Sequence, residues 1–198
     1  MHNNNSMNCG CSSDNNKCKI GPFVAADATC SPAPSVTSGI PIIPFSSGSF
    51  FSSLTTTSEG LPEFISLLGF GSITIKNVVS PIGDIDLTSD SSEAFSVPRA
   101  GSITAISASF SALTPLALET TIRARVYRAA ADSNIFSPTD AFVDLTPIST
   151  TDTVARGLKN VSPSVSVEAG DLLLMVFSAT ASGEVSFRGN AMAGITLA

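Results

Sequence analysis

The residues best suited to chemistry in this sequence are four cysteines near its start. Cys9, Cys11, Cys18 and Cys30 follow the spacing C-x-C-x6-C-x11-C, and residues 31–198 contain no further cysteine. Thiols of this kind bind zinc, form disulfides or remain inert. The spacing differs from the paired C-x2-C pattern of common zinc ribbons. We predict intermolecular disulfides that form between subunits after assembly, when the surroundings become oxidising, with zinc binding and inert thiols as the alternatives.

Nothing else in the sequence indicates catalysis. The single histidine, His2, lies at the start of a very polar segment, so a Ser-His-Asp or Cys-His arrangement has no well-placed base. No P-loop, dinucleotide-binding fingerprint or G-x-S-x-G elbow occurs. Asp84 and Asp86 alternate along a predicted strand, but two carboxylates are too few for a Ca²⁺ site. We therefore expect no enzymatic activity, no cofactor and no metal site.

The composition of the chain predicts a domain whose surface has unusually few charged residues. Of its 198 residues 13% are charged and 43% are hydrophobic, and the net charge is −6. An ordinary soluble domain has about 25% charged residues, so we expect copies of the chain or neighbouring proteins to cover this surface. The acidic balance excludes nucleic acid as a partner, because phosphate binding needs a basic face.

The sequence also lacks the patterns that lead a chain to a membrane. No apolar run approaches the roughly 18 to 20 residues that span a bilayer. The first 30 residues show no basic segment followed by an apolar one, so we expect no cleavable signal peptide and no membrane span.

The residue composition and the pattern of apolar residues change near residue 40. Residues 1–39 are rich in Asn, Ser and Pro and are predicted to form a flexible, cysteine-containing arm and linker. In residues 40–198 short apolar runs alternate with Gly, Pro, Ser and Asp, which predicts an all-β antiparallel sandwich of about 8–10 strands. The predicted strands are 41–46, 65–75, 84–88, 93–97, 101–111, 117–129, 140–146, 164–168, 171–179 and 184–197. The segment "LPEFISLL" at 61–68 is the one candidate for a short helix.

Two turns are marked by glycine. The segments "VPRAGS" at 97–102 and "VEAGD" at 167–171 each place a glycine, Gly101 and Gly170, where a tight reversal needs a positive φ. Both are therefore predicted to separate neighbouring strands.

Alternation of residue types predicts which faces of two strands are buried. In "TIRARVYRA", residues 121–129, one face is apolar and the other carries Arg123, Arg125 and Tyr127, as in a half-buried strand. In the last strand a run of small residues that includes Gly189 indicates either a close approach of backbones or a bulge.

The segment "GDLLLMVFSA", residues 170–179, is apolar on both faces. In a two-layer sandwich one such face lies in the core, and the other needs a second cover. We predict that this cover is another subunit and that Leu173, Met175 and Phe177 form the subunit interface.

The segment "IPIIPF", residues 40–45, is predicted to be an edge strand at the end of the arm. Ile40, Ile42, Ile43 and Phe45 are apolar, but the two prolines between them cannot donate to a central ladder. If this strand pairs with the next subunit it generates a filament, and if it folds back it is the first strand of its own sandwich.

Several blocks of the sequence resemble a known family. They are "IPFSSG" at 43–48, "LLGFGS" at 67–72, "AFSVPRAGSITAISASFSA" at 94–112, "RVYRAAADSNIFSP" at 125–138 and "AGDLLLMVFSATASG" at 169–183. Together they resemble the C-terminal domain of BclB-type exosporium glycoproteins, which are surface proteins of bacterial endospores. The resemblance implies a jelly-roll sandwich like the trimeric heads of the first complement component and tumour necrosis factor.

The family's collagen-like stalk is absent here, and the cysteine-bearing arm stands in its place. The resemblance implies a structural, self-assembling subunit of the spore surface, in the exosporium layer or an appendage fibre, made in the mother-cell cytoplasm. Its expected partners are copies of itself, with a trimer favoured and a fibre or sheet beyond it, and other spore-surface proteins. The alternative is a carbohydrate- or receptor-binding module displayed on the spore.

Overall fold

The chain divides into two units, Met1–Gly39 and Ile40–Ala198. The computed structural model describes residues 19–20, 23–24, 41–78, 81–88 and 93–198. In the first unit it describes two short antiparallel strands, β1 (Lys19–Ile20) and β2 (Phe23–Val24).

Every regular element described in the second unit is a β-strand. In chain order these are β3 (Ile42–Ser46), β4 (Ser52–Thr56), β5 (Pro62–Leu68), β6 (Ile73–Asn77), β7 (Ile85–Asp86), β8 (Phe95–Ser96), β9 (Gly101–Ala112), β10 (Thr120–Ala129), β11 (Ile135–Asp144), β12 (Val154–Val167), β13 (Leu172–Ala181) and β14 (Ser186–Leu197).

The strands form two layers with antiparallel pairing. The front sheet has the order β3-β14-β9-β12, and the back sheet has the order β6-β5-β13-β10-β11-β7. Strand β4 pairs with both β14 and β5 and so joins the layers, while β8 pairs with the start of β13. The chain passes repeatedly from one layer to the other, from β9 to β10, β11 to β12, β12 to β13 and β13 to β14. This is an antiparallel jelly-roll sandwich, as predicted.

The main core lies between the two layers because alternate residues of each long strand point inward. Its centre is aromatic: Phe110 lies 6.4 Å from Phe177 and 5.5 Å from Phe187 between ring centroids. Gly189 leaves room for this group, since a Cβ there would lie 2.5 Å from the Phe110 ring and 2.3 Å from the Ser111 carbonyl oxygen. The small residue that the sequence singled out in the last strand therefore marks a close approach.

A second, smaller core covers the outer face of the back sheet. Leu174 and Val176 of β13 point outward and pack with Ile85 and Leu87, which belong to a segment that folds across the sheet. Strand β13 is apolar on both faces, as the sequence indicated. The prediction that a second subunit covers it is wrong, because the same chain supplies both covers.

The structure corrects four predictions of local structure. The segment predicted as a helix at 61–68 instead forms strand β5 over Pro62–Leu68, because β4, β6 and β13 all pair with it. Gly170 has the expected positive φ of 91°, whereas Gly101 is not among the positive-φ glycines and begins strand β9. The predicted strand 65–75 is broken, with Gly71 at φ 86° between β5 and β6. Strand β12 begins at Val154 and not near residue 164.

Strand β4 had no prediction because its sequence, "SSLTT", is mostly polar. Ser52 and Thr56 are nevertheless fully buried on either side of Leu54. The Thr56 hydroxyl donates to the Gly183 carbonyl at 2.8 Å and accepts from the Val185 amide at 2.9 Å. A buried hydroxyl with two such partners fits inside the sandwich without an apolar signal in the sequence.

Candidate functional site

The predicted edge strand lies in its own sandwich. Strand β3 pairs along β14, and Ile43 and Phe45 are buried in the main core at 5% and 1% exposure. Of the two arrangements left open by the sequence, the structure has the one in which "IPIIPF" is the first strand of its own sheet. Ile42 is 68% exposed on the outside of the front sheet, and Ile40 lies outside the described residues.

The other predicted site residues are either buried in the main core or outside the described residues. Leu173, Met175 and Phe177 are fully buried in the main core of a single chain. A side chain with no exposed surface has none to offer a partner, so the prediction that these three form a subunit interface is wrong. Cys9, Cys11, Cys18 and Cys30 lie outside the described residues, and their disulfides stay a prediction.

The outer surface of the front sheet, here called the front face, is a candidate interaction surface. The strand register places its outward side chains in rows across β3, β14, β9 and β12. Two central rows are Pro44–Gly194–Ser107–Leu158 and Ser46–Met192–Ser109–Arg156. Most of these side chains are small, so the middle of the front face is flat and the backbones of the sheet can be approached closely.

The charge of the front face differs from that of the whole protein. The net charge is −6, yet none of the four strands of the front sheet contains Asp or Glu. Their charged residues are Arg156, Lys159 and Arg188. Leu158 is 77% exposed and Met192 is 53% exposed. Apart from the guanidinium groups of Arg156 and Arg188, the front face therefore presents apolar and neutral groups, which can be covered with little desolvation of charge.

A second candidate site, here called the back pocket, is a cavity of about 450 Å³ on the outer surface of the back sheet. Paired residues of β10 and β13 line it, with Arg123 opposite Ser178 and Arg125 opposite Val176. Tyr127 lies beside them. The lining also includes Asp144 of β11 and four apolar residues from other segments, Leu61, Pro62, Pro81 and Ile82.

Three cationic side chains surround one aromatic ring beside the back pocket. The guanidinium carbons of Arg123 and Arg125 lie 4.6 and 4.7 Å from the centroid of the Phe142 ring, and the Lys159 Nζ lies 3.7 Å from it. The sequence predicted that Arg123 and Arg125 share a face, which the structure confirms. That Phe142 and Lys159 join them follows only from the pairing of β10 with β11 and the packing of β12.

One carboxylate balances part of this positive charge. Asp144 accepts hydrogen bonds from the Nε and Nη2 of Arg123 at 2.6 and 2.9 Å. These hydrogen bonds hold the pKa of Asp144 below its ordinary value, and the charges of Lys159 and Arg125 add to the effect. Asp144 is therefore ionised at neutral pH and neutralises Arg123.

Arg125 has no comparable partner. Its Nε is buried without a hydrogen-bond acceptor, and none of the ion pairs among the described residues includes it. Burial raises the pKa of the neighbouring Tyr127, and the charge of Arg125 acts in the opposite direction. The back pocket thus contains a neutral phenol beside a guanidinium that has no ion pair of its own among the described residues.

The described part of the chain contains neither a cluster of metal ligands nor a membrane-spanning helix. No three His, Cys, Asp or Glu side chains there are close enough together to hold a metal ion. No helix in that part is long and apolar enough to cross a membrane.

Comparison with known proteins finds one distant structural similarity. No family model matches this chain, and no curated protein matches it. Among solved structures it is similar to the Eiger TNF of S. frugiperda, with 13% identity over 80% of this chain and 93% of that chain and a TM-score of 0.37. The strand order itself establishes the jelly roll.

No apolar pattern in the sequence indicated the front face. Leu158 and Met192 are single apolar residues between polar or small ones, and such positions carry no periodic signal. One signal could have been used: the acidic residues of the chain avoid the segments 101–112, 154–167 and 186–197, all of which belong to the front sheet.

Proposed function

We propose that this protein is a non-catalytic structural subunit that assembles with copies of itself through the front face. The observation that carries the proposal is the absence of acidic residues from all four front strands in a chain with a net charge of −6. Copies with that net charge repel one another across most of their surfaces. The strands of the front face bring no carboxylate into a contact with another copy, and its exposed charges, those of Arg156 and Arg188, are positive, so the repulsion is least there.

The size of the front face supports a specific contact. Four strands about 4.8 Å apart, with a length of about 40 Å for a 12-residue strand, give a face of about 700 Å². Stable interfaces bury about 800 Å² on each partner. A contact that uses most of the front face is therefore large enough for a stable oligomer.

The finer parts of the proposal are its closed unit and its location. We favour a trimer as the closed unit, which a fibre or a sheet then extends. The blocks that resemble BclB-type exosporium proteins support a place on the outer surface of a bacterial spore, in the exosporium layer or an appendage. Other proteins of that surface would then be neighbours of the assembly.

The substitution Met192→Asp tests the front face. It puts one carboxylate from every copy into the proposed contact, where like charges repel and lose their water. We expect an oligomer in the native protein and a folded monomer in the variant, with the dissociation constant raised at least about 100-fold, which corresponds to about 3 kcal/mol. Sedimentation velocity with reductant present measures the change and removes any contribution from disulfides.

The matched control is Ile75→Asp on the back sheet. Ile75 is 47% exposed, close to the 53% of Met192, but it lies on β6 and away from the front face. The control should sediment as the native oligomer does. A native protein that is monomeric at high concentration, or an oligomer that survives Met192→Asp, would refute the proposed contact.

We further propose that the arm cysteines join assembled subunits by disulfides. All four thiols lie within the first 30 residues, so the jelly roll itself contains no thiol and folds independently of redox state. On non-reducing electrophoresis of air-oxidised assemblies we expect multimers that collapse to monomer with reductant. A variant with Ser at positions 9, 11, 18 and 30 should give monomer in both lanes. Monomer in both lanes for the native chain as well would exclude the cross-links.

A further inference from the structure

The floor of the back pocket is rigid. Strands β10 and β13 pair without interruption from Thr120 opposite Ala181 to Ala129 opposite Leu172. Beneath the floor lies the main core, where Ile122, Ala124 and Val126 have no exposed surface. Polar groups on such a floor are held in place before a ligand arrives, which favours binding because little ordering remains to be done.

The charges around the back pocket do not balance. Arg123, Arg125 and Lys159 surround the Phe142 ring, Asp144 pairs with Arg123, and the charge of Asp84 acts on Tyr127 from outside the lining. This excess of positive charge stands out in a protein whose net charge is −6. The unpartnered Nε of Arg125 costs free energy where it is buried, and an anion on the outer nitrogens of the same guanidinium would neutralise its charge.

We propose that the back pocket binds a molecule of about sugar size that carries a single carboxylate, and that Arg125 holds this carboxylate. The Nε and Nη2 of Arg123 already donate to Asp144, so Arg125 is the cation of the lining that is available to bind a ligand. Asp144, which also lines the back pocket, stays charged and disfavours a second negative charge on the ligand. A planar carboxylate also matches the fork of a guanidinium.

The rest of the lining indicates what the carboxylate is attached to. A cavity of about 450 Å³ lies in the range of about 300 to 1,000 Å³ that small-molecule sites occupy. An inorganic anion would leave most of it empty. The walls of Leu61, Pro62 and Ile82 suit a carbon skeleton, while the hydroxyls of Thr121 and Ser178 suit a ligand with hydroxyl groups.

Two sources supply this chemistry, a free organic acid and an acidic sugar. Their common feature is one carboxylate on a compact ring or chain. The hydroxyls of the lining favour the acidic sugar, in solution or at the end of a glycan. The inference does not depend on self-association, because the back pocket lies on the sheet opposite the front face.

Titration of the full chain followed by nuclear magnetic resonance tests the pocket with four probes. Glucuronate represents the acidic sugar, cyclohexanecarboxylate the free apolar acid, glucose the uncharged sugar and inorganic phosphate a bare oxyanion. We expect saturable binding of at least one carboxylate with a dissociation constant on the order of 1 mM. Tighter binding of glucuronate assigns an acidic sugar, and tighter binding of cyclohexanecarboxylate assigns a free acid.

Substitutions locate the binding. Arg125→Gln should weaken carboxylate binding at least about tenfold, whereas Arg188→Gln, an equivalent loss of charge on the front sheet, should leave it unchanged. Asp144→Asn frees the fork of Arg123 and should tighten binding several-fold. This third variant keeps the proposal testable if Arg125→Gln does not fold, because unchanged or weaker binding in Asp144→Asn contradicts it.

Three results overturn the assignment. The first is that neither carboxylate binds more tightly than glucose, which removes the role of charge. The second is that phosphate binds more tightly than both carboxylates, which removes the organic ligand. The third is that Arg125→Gln binds as the native protein does, which places the site elsewhere.

Discussion

Met175→Asp is expected to abolish the folded state of the jelly roll. Met175 has no exposed surface and belongs to the main core together with Leu173 and Phe177. A carboxylate at that position loses its water and has no partner among the apolar side chains around it. We expect a loss above about 5 kcal/mol, comparable with the whole stability of a domain, which is about 5 to 15 kcal/mol.

The measurement is thermal unfolding followed by circular dichroism, together with the yield of soluble protein. The matched control is Met192→Asp, the same change at a residue that is 53% exposed. That variant should keep the β-sheet spectrum even where its assembly is lost. A folded, merely dissociated Met175→Asp protein would instead return this strand face to the surface and restore the interface first predicted for it.

Gly60→Ala is expected to lower the melting temperature by about 10 °C, because a loss of 3 to 4 kcal/mol moves a domain of this size by that amount. Gly60 lies in the turn between β4 and β5 with a φ of 77°. A Cβ there would be 1.9 Å from the carbonyl oxygen of Ala181 at the end of β13. The positive φ contributes about 1 kcal/mol or more, and moving the backbone contributes the rest.

Gly83→Ala is the control for the turn. A Cβ at Gly83 meets nothing within 4 Å, and the φ of this residue is not in the left-handed region. We expect its melting temperature to stay within about 2 °C of the native value, as for most surface substitutions. Equal melting of the two variants in a calorimetric scan would mean that the turn at Gly60 opens without disturbing β13.

The front face and the back pocket assign separate roles to the two layers of one sandwich. The front sheet has few charges and no acidic residue, which suits contact with copies of the chain. The back sheet carries Arg123, Arg125 and the cavity. An assembly that uses the front face would leave the back pocket on its outer surface. A structural subunit built in this way would display one binding site per copy.

Local patterns in the sequence determined the fold class and much of the inward and outward order of the strands. Alternation in residues 121–129 assigned Arg123 and Arg125 to one face, because side chains along a strand alternate whatever the strand packs against. The double apolar pattern of residues 172–177 is likewise a property of the segment. It correctly indicated that both faces of this strand are covered.

What covers each face was decided by tertiary structure alone. The outer face of β13 is covered by Ile85 and Leu87, which are almost 90 residues away in sequence. No local pattern around these two residues predicts that they pack on β13. The same is true of β4, whose buried Thr56 depends on partners near residue 184. An expected subunit contact therefore became an internal one.

The candidate sites show the same division for the same physical reason. The sequence indicated on which face of its strand Arg125 lies. That Arg125 has no ion pair among the described residues, and that other cations lie near it, depends on which strands lie beside β10. The front face is formed by four segments that are adjacent only through β14 and β9. Alternation along one strand is a local property that sequence reveals. Contact between distant strands depends on long-range pairing, which is fixed only when the whole sandwich closes.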